Sequence, residues 1–190
     1  NMTFSWCFVT ESNIICGGEV NRHGILSHQT NRQSLLNSFL SHHDSRVPLF
    51  SNCYTGTCVP GNGAFDVAGN VVYNNSASQT FVSNQEGANI VGNYLKGGLD
   101  YNPSAMWNGN GNMQVYVQGN YRAGSPSQSQ QAFVSGAPQW SSQPILPANF
   151  APKTGQQALL DVKIRGGALP RDSTDARLFR EMESGTGNLR

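Results

Sequence analysis

The sequence predicts a mainly β protein, in which short strands form a solenoid and a helical segment follows at the C-terminal end. Charged residues make up only 12% of the 190 residues, against roughly 25% in an average soluble domain. A Gly-Asn phrase recurs between strand-like runs, at a spacing typical of a stacked repeat. Two helix-capping patterns stand near the C-terminus. These three observations determine the predicted fold class.

The Gly-Asn phrase indicates coils that stack on one another. A β-branched or aromatic residue follows it each time, at Gly69-Asn70-Val71, Gly92-Asn93-Tyr94 and Gly119-Asn120-Tyr121, with a looser copy at Leu36-Asn37-Ser38-Phe39. The asparagines are separated by steps of 33, 23 and 27 residues. In a solenoid, an Asn that recurs at one turn can hydrogen-bond along the stack. A β-sandwich with similar hairpin spacing is the alternative.

The predicted solenoid occupies residues 1–121. Its strand-like runs are Thr3–Val9, Ser34–Leu40, Ala64–Tyr73, Asn89–Leu95 and Met113–Tyr121. The chain opens directly on the first of these runs, so we expect further N-terminal coils before Asn1. Inward apolar residues of each coil are expected to stack on their equivalents in the next coil.

Two segments follow the predicted coils. Residues 122–152 are rich in Pro, Ser and Gln and predict a long surface excursion, anchored by Phe133, Trp140 and Phe150. Residues 153–190 predict a helical tail that packs on the solenoid and covers an exposed sheet edge. In this tail, Thr154 and Asp172 are the predicted N-caps and Gly185 is the predicted helix stop.

Composition also limits the function. The net charge of +1 argues against a chain that binds nucleic acid through bulk charge. No apolar run approaches the 18 or so residues that span a membrane. Cys53 and Cys58 flank a short loop and are a disulfide candidate, although four unpaired thiols remain the alternative. An even number of cysteines with few charges suits an oxidising compartment, so we expect an extracellular protein.

Five segments, in the same order, resemble the central coils and the closing tail of pectate lyases of polysaccharide lyase family 1. They are Trp6-Cys7 with His23-Gly-Ile-Leu-Ser27, His42-His-Asp-Ser-Arg46-Val-Pro48, Phe65–Asn74, Asn89–Lys96, and Leu169–Arg177 with Gly185-Thr-Gly187. The family fold is a right-handed parallel β-helix, which agrees with the solenoid that the repeat predicts. No single motif here is highly specific, but the order of the five is.

The resemblance implies a secreted enzyme that cleaves 4-linked polyuronates such as pectate by β-elimination. A base removes the proton at C5, and Ca²⁺ on the uronate carboxylate stabilises the developing charge. The family's Ca²⁺ ligands are expected on coils before Asn1. The expected partner is therefore an acidic polysaccharide, and the remainder of the chain or an oligomeric assembly is a further expected partner.

The resemblance assigns the base to Arg46, an unusual base because a guanidinium ordinarily has a pKa of about 12 or higher. Arg22 matches the family lysine that grips a substrate carboxylate, a task that Arg performs in bidentate fashion. Asp44 is expected to share a face with Arg46 and hold it in place. The family's second arginine is missing, because Leu49, Phe50 and Ser51 follow Pro48.

The remaining candidates for substrate binding are His42 and aromatic side chains. His42 and His43 are adjacent on a predicted strand, so we expect one to point inward and the other to be exposed. Aromatic rings suit sugar faces, and the candidates to line a sugar groove are Tyr54, Tyr94, Tyr101, Trp107 and Tyr121. A non-catalytic β-helix that binds glycans, or that builds an extracellular or surface structure, is the alternative function.

Overall fold

A computed structural model describes residues 2–11, 14–16, 19–27, 32–51, 53–54, 57–58, 64–76, 80–81, 87–103, 105–109, 113–146 and 148–188. The predicted fold class is confirmed: parallel sheets form a β-helix with a helical C-terminal cover. The elements, in chain order, are β1 (Met2–Ser5), β2 (Phe8–Thr10), β3 (Ile14–Cys16), β4 (Glu19–Asn21), β5 (Leu26–Ser27), β6 (Gln33–Leu36), β7 (Phe39–Ser41), β8 (Leu49–Phe50), β9 (Cys53–Tyr54), β10 (Thr57–Cys58), β11 (Ala64–Ala68), β12 (Val71–Tyr73), β13 (Thr80–Phe81), β14 (Gly87–Val91), β15 (Tyr94–Lys96), β16 (Trp107–Gly109), β17 (Gln114–Gln118), β18 (Tyr121–Arg122), β19 (Val134–Ser135), β20 (Gln139–Trp140), α1 (Gly155–Arg165) and α2 (Ser173–Ser184).

Three parallel faces enclose the core. The first sheet has the order β1-β6-β11-β14-β17-β20 and the second has the order β2-β7-β12-β15-β18. The two-stranded sheet β5–β8 and the three-stranded sheet β13–β16–β19 form the third face. Apolar residues stack in register inside the first sheet, as in the column Phe4, Leu35, Val67, Ile90 and Val117. The core therefore repeats from coil to coil, as the period of the sequence predicts.

The Asn ladder runs along the corner between the first and second sheets. Asn70 Nδ2 donates to Asn93 Oδ1 and Asn93 Nδ2 donates to Asn120 Oδ1, each at 3.0 Å. Each Asn also satisfies a backbone carbonyl of the previous coil; Asn93 Nδ2, for example, bonds to Val67 O at 2.8 Å. The ladder predicted from the Gly-Asn phrase is confirmed.

The looser copy of the phrase is shifted by one residue from its predicted register. Asn37 has a φ of 51° and occupies the left-handed position that Gly69 takes in the next coil. Ser38 then stands in the ladder, where its backbone N–H donates to Asn70 Oδ1 at 2.9 Å. Asn tolerates left-handed backbone better than most residues, which explains why it replaces a glycine here.

The excursion predicted for residues 122–152 returns to the solenoid. Its strands β19 and β20 extend the third face and the first sheet, respectively. Phe133 is buried at 1% exposure, as expected of an anchor, whereas Trp140 is 45% exposed. Trp140 is not an anchor because β20 is the outermost strand of its sheet, so no further coil covers it.

The helical cover packs on the outer face of the second sheet. Leu178, Phe179 and Met182 of α2 contact Phe39, Val71 and Tyr73, which point outward from that sheet. The rings of Phe39 and Phe179 stack with centroids 4.9 Å apart. The predicted helix ends are confirmed: Thr154 and Asp172 accept hydrogen bonds from backbone N–H groups of the first turns, and Gly185 is left-handed at a φ of 73°. Neither α1 nor α2 is long and apolar enough to cross a membrane.

The adjacent histidines are both buried, so the expectation that one would be exposed is wrong. His42 is 1% exposed and His43 is 0% exposed. His43 points into the solenoid, where its Nε2 bonds to Val9 O at 2.9 Å. His42 points outward, but α2 covers it there. Burial lowers the pKa of His43 to about 4 and also lowers the pKa of His42, against the opposing effect of the Glu181 and Glu11 carboxylates.

We predict that Asn93→Ala destabilises the fold strongly. The substitution leaves the buried N–H groups of Asn70 and the carbonyl of Val67 without their partners. Each unsatisfied buried group costs about 1–3 kcal/mol, so we expect the free energy of unfolding in urea to fall by about 3 kcal/mol or more. Asn188→Ala, at an exposed position, is the control and should change it by less than about 0.5 kcal/mol. Equal effects of the two substitutions would contradict the ladder's structural role.

We predict that acid destabilises the protein through His43. Its pKa is about 4 in the folded state and about 6.5 when unfolded, so only the unfolded state takes up this proton between those values. Stability is therefore lost as the pH falls from about 6.5 towards 4, by about 2 kcal/mol between pH 7 and pH 5. Urea unfolding at both pH values should show a smaller loss in His43→Gln, which keeps a donor for Val9 O. The same loss in both proteins would refute the assignment.

Candidate functional site

The candidate site lies at one end of the third face, where two successive coils run side by side. His23 and Ser45 form a parallel bridge. Around this bridge, Asp44 N donates to Arg22 O at 2.9 Å and Gly24 N donates to Ser45 O at 3.0 Å. The parallel register therefore brings segment 22–25 against segment 44–46. It brings together the backbones of three of the predicted site residues, Arg22, Asp44 and Arg46, each of which is half-buried.

Arg46 is held by His23. Arg46 Nη1 lies 2.5 Å from His23 Nδ1. A guanidinium carries only donors, so His23 Nδ1 accepts this bond and the neutral ring keeps its proton on Nε2. The backbones of the two segments also come close together at position 24, which must therefore be glycine. A Cβ there would lie 2.6 Å from the Arg46 carbonyl oxygen.

The backbone of Arg46 is unusual. Its φ of 59° lies in the left-handed region, which long side chains rarely adopt and which is found disproportionately at functional sites. The hydrogen bond from Ile25 N to Arg46 O, at 2.6 Å, holds the turn. The side chain of Arg46 is half-buried and reaches His23.

Tyr101 joins the surface around Arg22 and Arg46 from a later coil. Burial raises the pKa of Tyr101, the Asp44 and Asp100 carboxylates raise it further, and the Arg22 guanidinium opposes them. The phenol is thus within electrostatic range of Asp44 and Arg22. The surface combines two guanidinium groups and one aromatic ring, which suit an anionic sugar, with two carboxylates nearby.

Other predicted site residues lie elsewhere. His42 is buried beneath α2, so it does not reach a substrate at the surface of Arg46. The side chains of Tyr54, Cys53 and Cys58 lie outside the described part of the structure. The backbone of the β9–β10 hairpin sets Cys53 opposite Cys58, in keeping with the predicted pairing.

Three of the aromatic candidates have structural roles. Trp107 is 1% exposed and its Nε1 donates to Val47 O at 3.2 Å, inside the solenoid. Tyr94 stacks on Tyr121 with ring centroids 5.5 Å apart and packs against the helical cover. Among the described candidates, Tyr101 is therefore the ring that lies with the cationic surface.

The residues beside Arg46 do not fit a calcium ion. Ca²⁺ takes six to eight oxygen ligands, usually with several carboxylates among them. In the described segments 22–27 and 44–51, Asp44 supplies the only carboxylate, and it stands next to the guanidinium-bearing residues Arg22 and Arg46. We therefore assign no step at this surface to Ca²⁺.

Sequence reasoning did not pair His23 with Arg46. The two lie 23 positions apart, and only the parallel register of the two coils makes them neighbours. A signal was present in Gly24, because a glycine within an extended segment often marks close backbone approach.

Comparison of the chain with protein-family models, with curated proteins and with solved structures found no match. The functional assignment therefore rests on the side chains described above and on the segments that resemble pectate lyases.

Proposed function

We propose that this chain is a polysaccharide lyase that cleaves a 4-linked polyuronate outside the cell by β-elimination, with Arg46 and His23 as its proton-accepting pair. The contact of 2.5 Å between Arg46 Nη1 and His23 Nδ1 carries the proposal. It gives an arginine at the surface a neutral hydrogen-bond acceptor, where most surface arginines pair with a carboxylate or with water.

Substrate binding falls to the two guanidinium groups. Arg22 is suited to hold a uronate carboxylate through two parallel hydrogen bonds. The positive charge of Arg22 and Arg46 then faces the negative charge that builds up on that carboxylate as C5 loses its proton. In this proposal the protein's own cations supply the charge stabilisation that Ca²⁺ supplies in the family, since the residues here do not fit that ion.

The proton step uses both members of the pair. The Arg46 guanidinium passes one proton to His23 Nδ1, and the neutral guanidine so formed accepts the proton from C5. The electrons of the C5–H bond form a C4=C5 double bond, and the C4–O bond breaks. The leaving oxygen takes up a proton from solvent, and His23 releases its proton to solvent. His23 Nδ1 gives the guanidinium proton an acceptor that is already within hydrogen-bond distance.

A second candidate function is glycan binding without cleavage. It is favoured by the residues after Pro48, where Leu49, Phe50 and Ser51 offer no second cation and Phe50 is fully buried. The cationic surface would then hold a polyuronate chain without eliminating it. Both functions need Arg22 and Arg46, and they differ only in whether an unsaturated product forms.

We predict that the protein releases unsaturated uronate from polygalacturonate, detected by ultraviolet absorbance, in either Ca²⁺ or chelator. Removing a general base usually costs 10²–10⁴-fold, so Arg46→Ala should lower kcat by at least about 100-fold. Arg22→Ala should raise KM and also lower kcat, because Arg22 binds the carboxylate both before and while charge develops on it. His23→Gln should lower kcat, because Arg46 Nη1 then loses its imidazole acceptor.

Arg180→Ala, at an exposed position on α2, is the matched control and should behave as the wild type. Unchanged product formation by Arg46→Ala would refute the lyase assignment. If wild-type protein forms no product from polygalacturonate, pectin or alginate but binds them through Arg22 and Arg46, the binding function replaces the catalytic one.

A further inference from the structure

A second polar cluster lies beneath α2, at the corner where strands of the second sheet end. It does not include Arg46 or His23. The strands β2, β7 and β12 end at one corner of the solenoid, where Glu11, His42 and Asn74 occupy equivalent positions on successive coils. Their φ values of 51°, 61° and 47° are all left-handed. Their backbone N–H groups each donate to the next coil, as in Glu11 N to Ser41 O at 3.1 Å and His42 N to Tyr73 O at 3.3 Å.

The shared turn sends the side chains of this corner outward on the same side. Because the coils stack in parallel register, Glu11 and His42 become neighbours although they lie far apart in the sequence. Both side chains meet the inner surface of α2.

The helix α2 completes the cluster with Glu181 and Arg177. Arg177 Nη2 bonds to Glu11 Oε2 at 2.6 Å and Arg177 Nη1 bonds to Glu181 Oε1 at 2.7 Å. Arg177 thereby holds one oxygen of each carboxylate and orients both towards His42. Two carboxylates face one guanidinium, so these three side chains carry a net negative charge.

His42 is the observation that points to a ligand. Its side chain has no solvent exposure, and neither ring nitrogen has a hydrogen-bond partner among the described residues. Its Nε2 faces Glu181 Oε2 at 3.9 Å, which is too long for a hydrogen bond. Burying an imidazole whose nitrogens have no hydrogen-bond partner lowers the stability of the fold. That loss is removed if Nε2 binds a metal ion that the two carboxylates also bind.

The chain leaves space beside these atoms. Position 187 is a glycine with a φ of 88°, and a Cβ there would lie 2.7 Å from Glu181 Oε2 and 3.0 Å from His42 Nε2. One ligand atom from each of Glu11, His42 and Glu181 lies within 4.8 Å of the other two. Small side-chain rotations bring such atoms to the roughly 2.0–2.2 Å at which Zn²⁺ holds nitrogen and carboxylate ligands.

We propose that Glu11, His42 and Glu181 form a binding site for a divalent transition-metal ion of the zinc class, which fastens α2 to the corner of the solenoid. An imidazole nitrogen among the ligands favours Zn²⁺, Co²⁺ or Ni²⁺ over Ca²⁺ and Mg²⁺, which prefer oxygen. Three protein ligands leave a fourth position of a tetrahedral ion for water. Arg177 is a positioning residue that holds both carboxylates, and the site does not depend on the lyase proposal.

Metal binding to the full chain tests this proposal. We expect the chelator-treated protein to bind one equivalent of Zn²⁺ by calorimetry, and Co²⁺ to give the visible absorption of a bound, low-coordinate ion. Zn²⁺ should raise the melting temperature because it binds the folded state, and Ca²⁺ at the same concentration should not. His42→Asn should weaken Zn²⁺ binding by at least about tenfold, the lower end of what the loss of even an outer-shell partner costs.

The structure supplies matched variants. Asn is a suitable replacement for His42 because Asn74 occupies the equivalent turn of the next coil with the same backbone. Glu11→Gln should also weaken binding, whereas Glu183→Gln, on the same helix but exposed, should bind as the wild type does. No Zn²⁺ binding by the wild type, or equal binding by wild type and both His42→Asn and Glu11→Gln, would overturn the proposal.

Discussion

The corners of the solenoid impose the constraint on which the rest of the structure depends. At most of the described corners the backbone takes a left-handed turn and must still satisfy its polar groups inside the stack. At the first corner, glycines take the turn and the following asparagines bond along the stack, as Asn70, Asn93 and Asn120 do. Because these asparagine amides have partners in the neighbouring coils, the register of the sheets cannot slip by one residue without breaking the ladder.

The same constraint explains where the chemistry lies. Where a corner residue is not glycine, its side chain leaves the stack at the same point in each coil. Glu11 and His42 meet in this way beneath α2, and Arg46, which is also left-handed, reaches His23. Stacking in parallel register thus brings residues that are distant in the sequence together in two clusters, one around Arg46 and one beneath α2.

The sequence predicted the architecture better than it predicted the clusters. The Gly-Asn phrase and the caps at Thr154 and Asp172 are local sequence patterns, each typical of one kind of structure. They predicted the solenoid and the helical cover. The burial of His42 was not predictable in this way, because it depends on α2, which packs over the corner from the far end of the chain. The contact of His23 with Arg46 depends likewise on the register between two coils, which alternation along a single strand does not reveal.

The most direct test of this account is a crystal structure of the His23→Gln protein with a bound oligogalacturonate, since this variant should bind the sugar and cleave it only slowly. The account predicts a uronate carboxylate on Arg22, with C5 of the same or the adjoining sugar within about 3–3.5 Å of the Arg46 guanidinium, the distance of a productive approach. An oligosaccharide bound at another face, with Arg22 and Arg46 open to solvent, would contradict it.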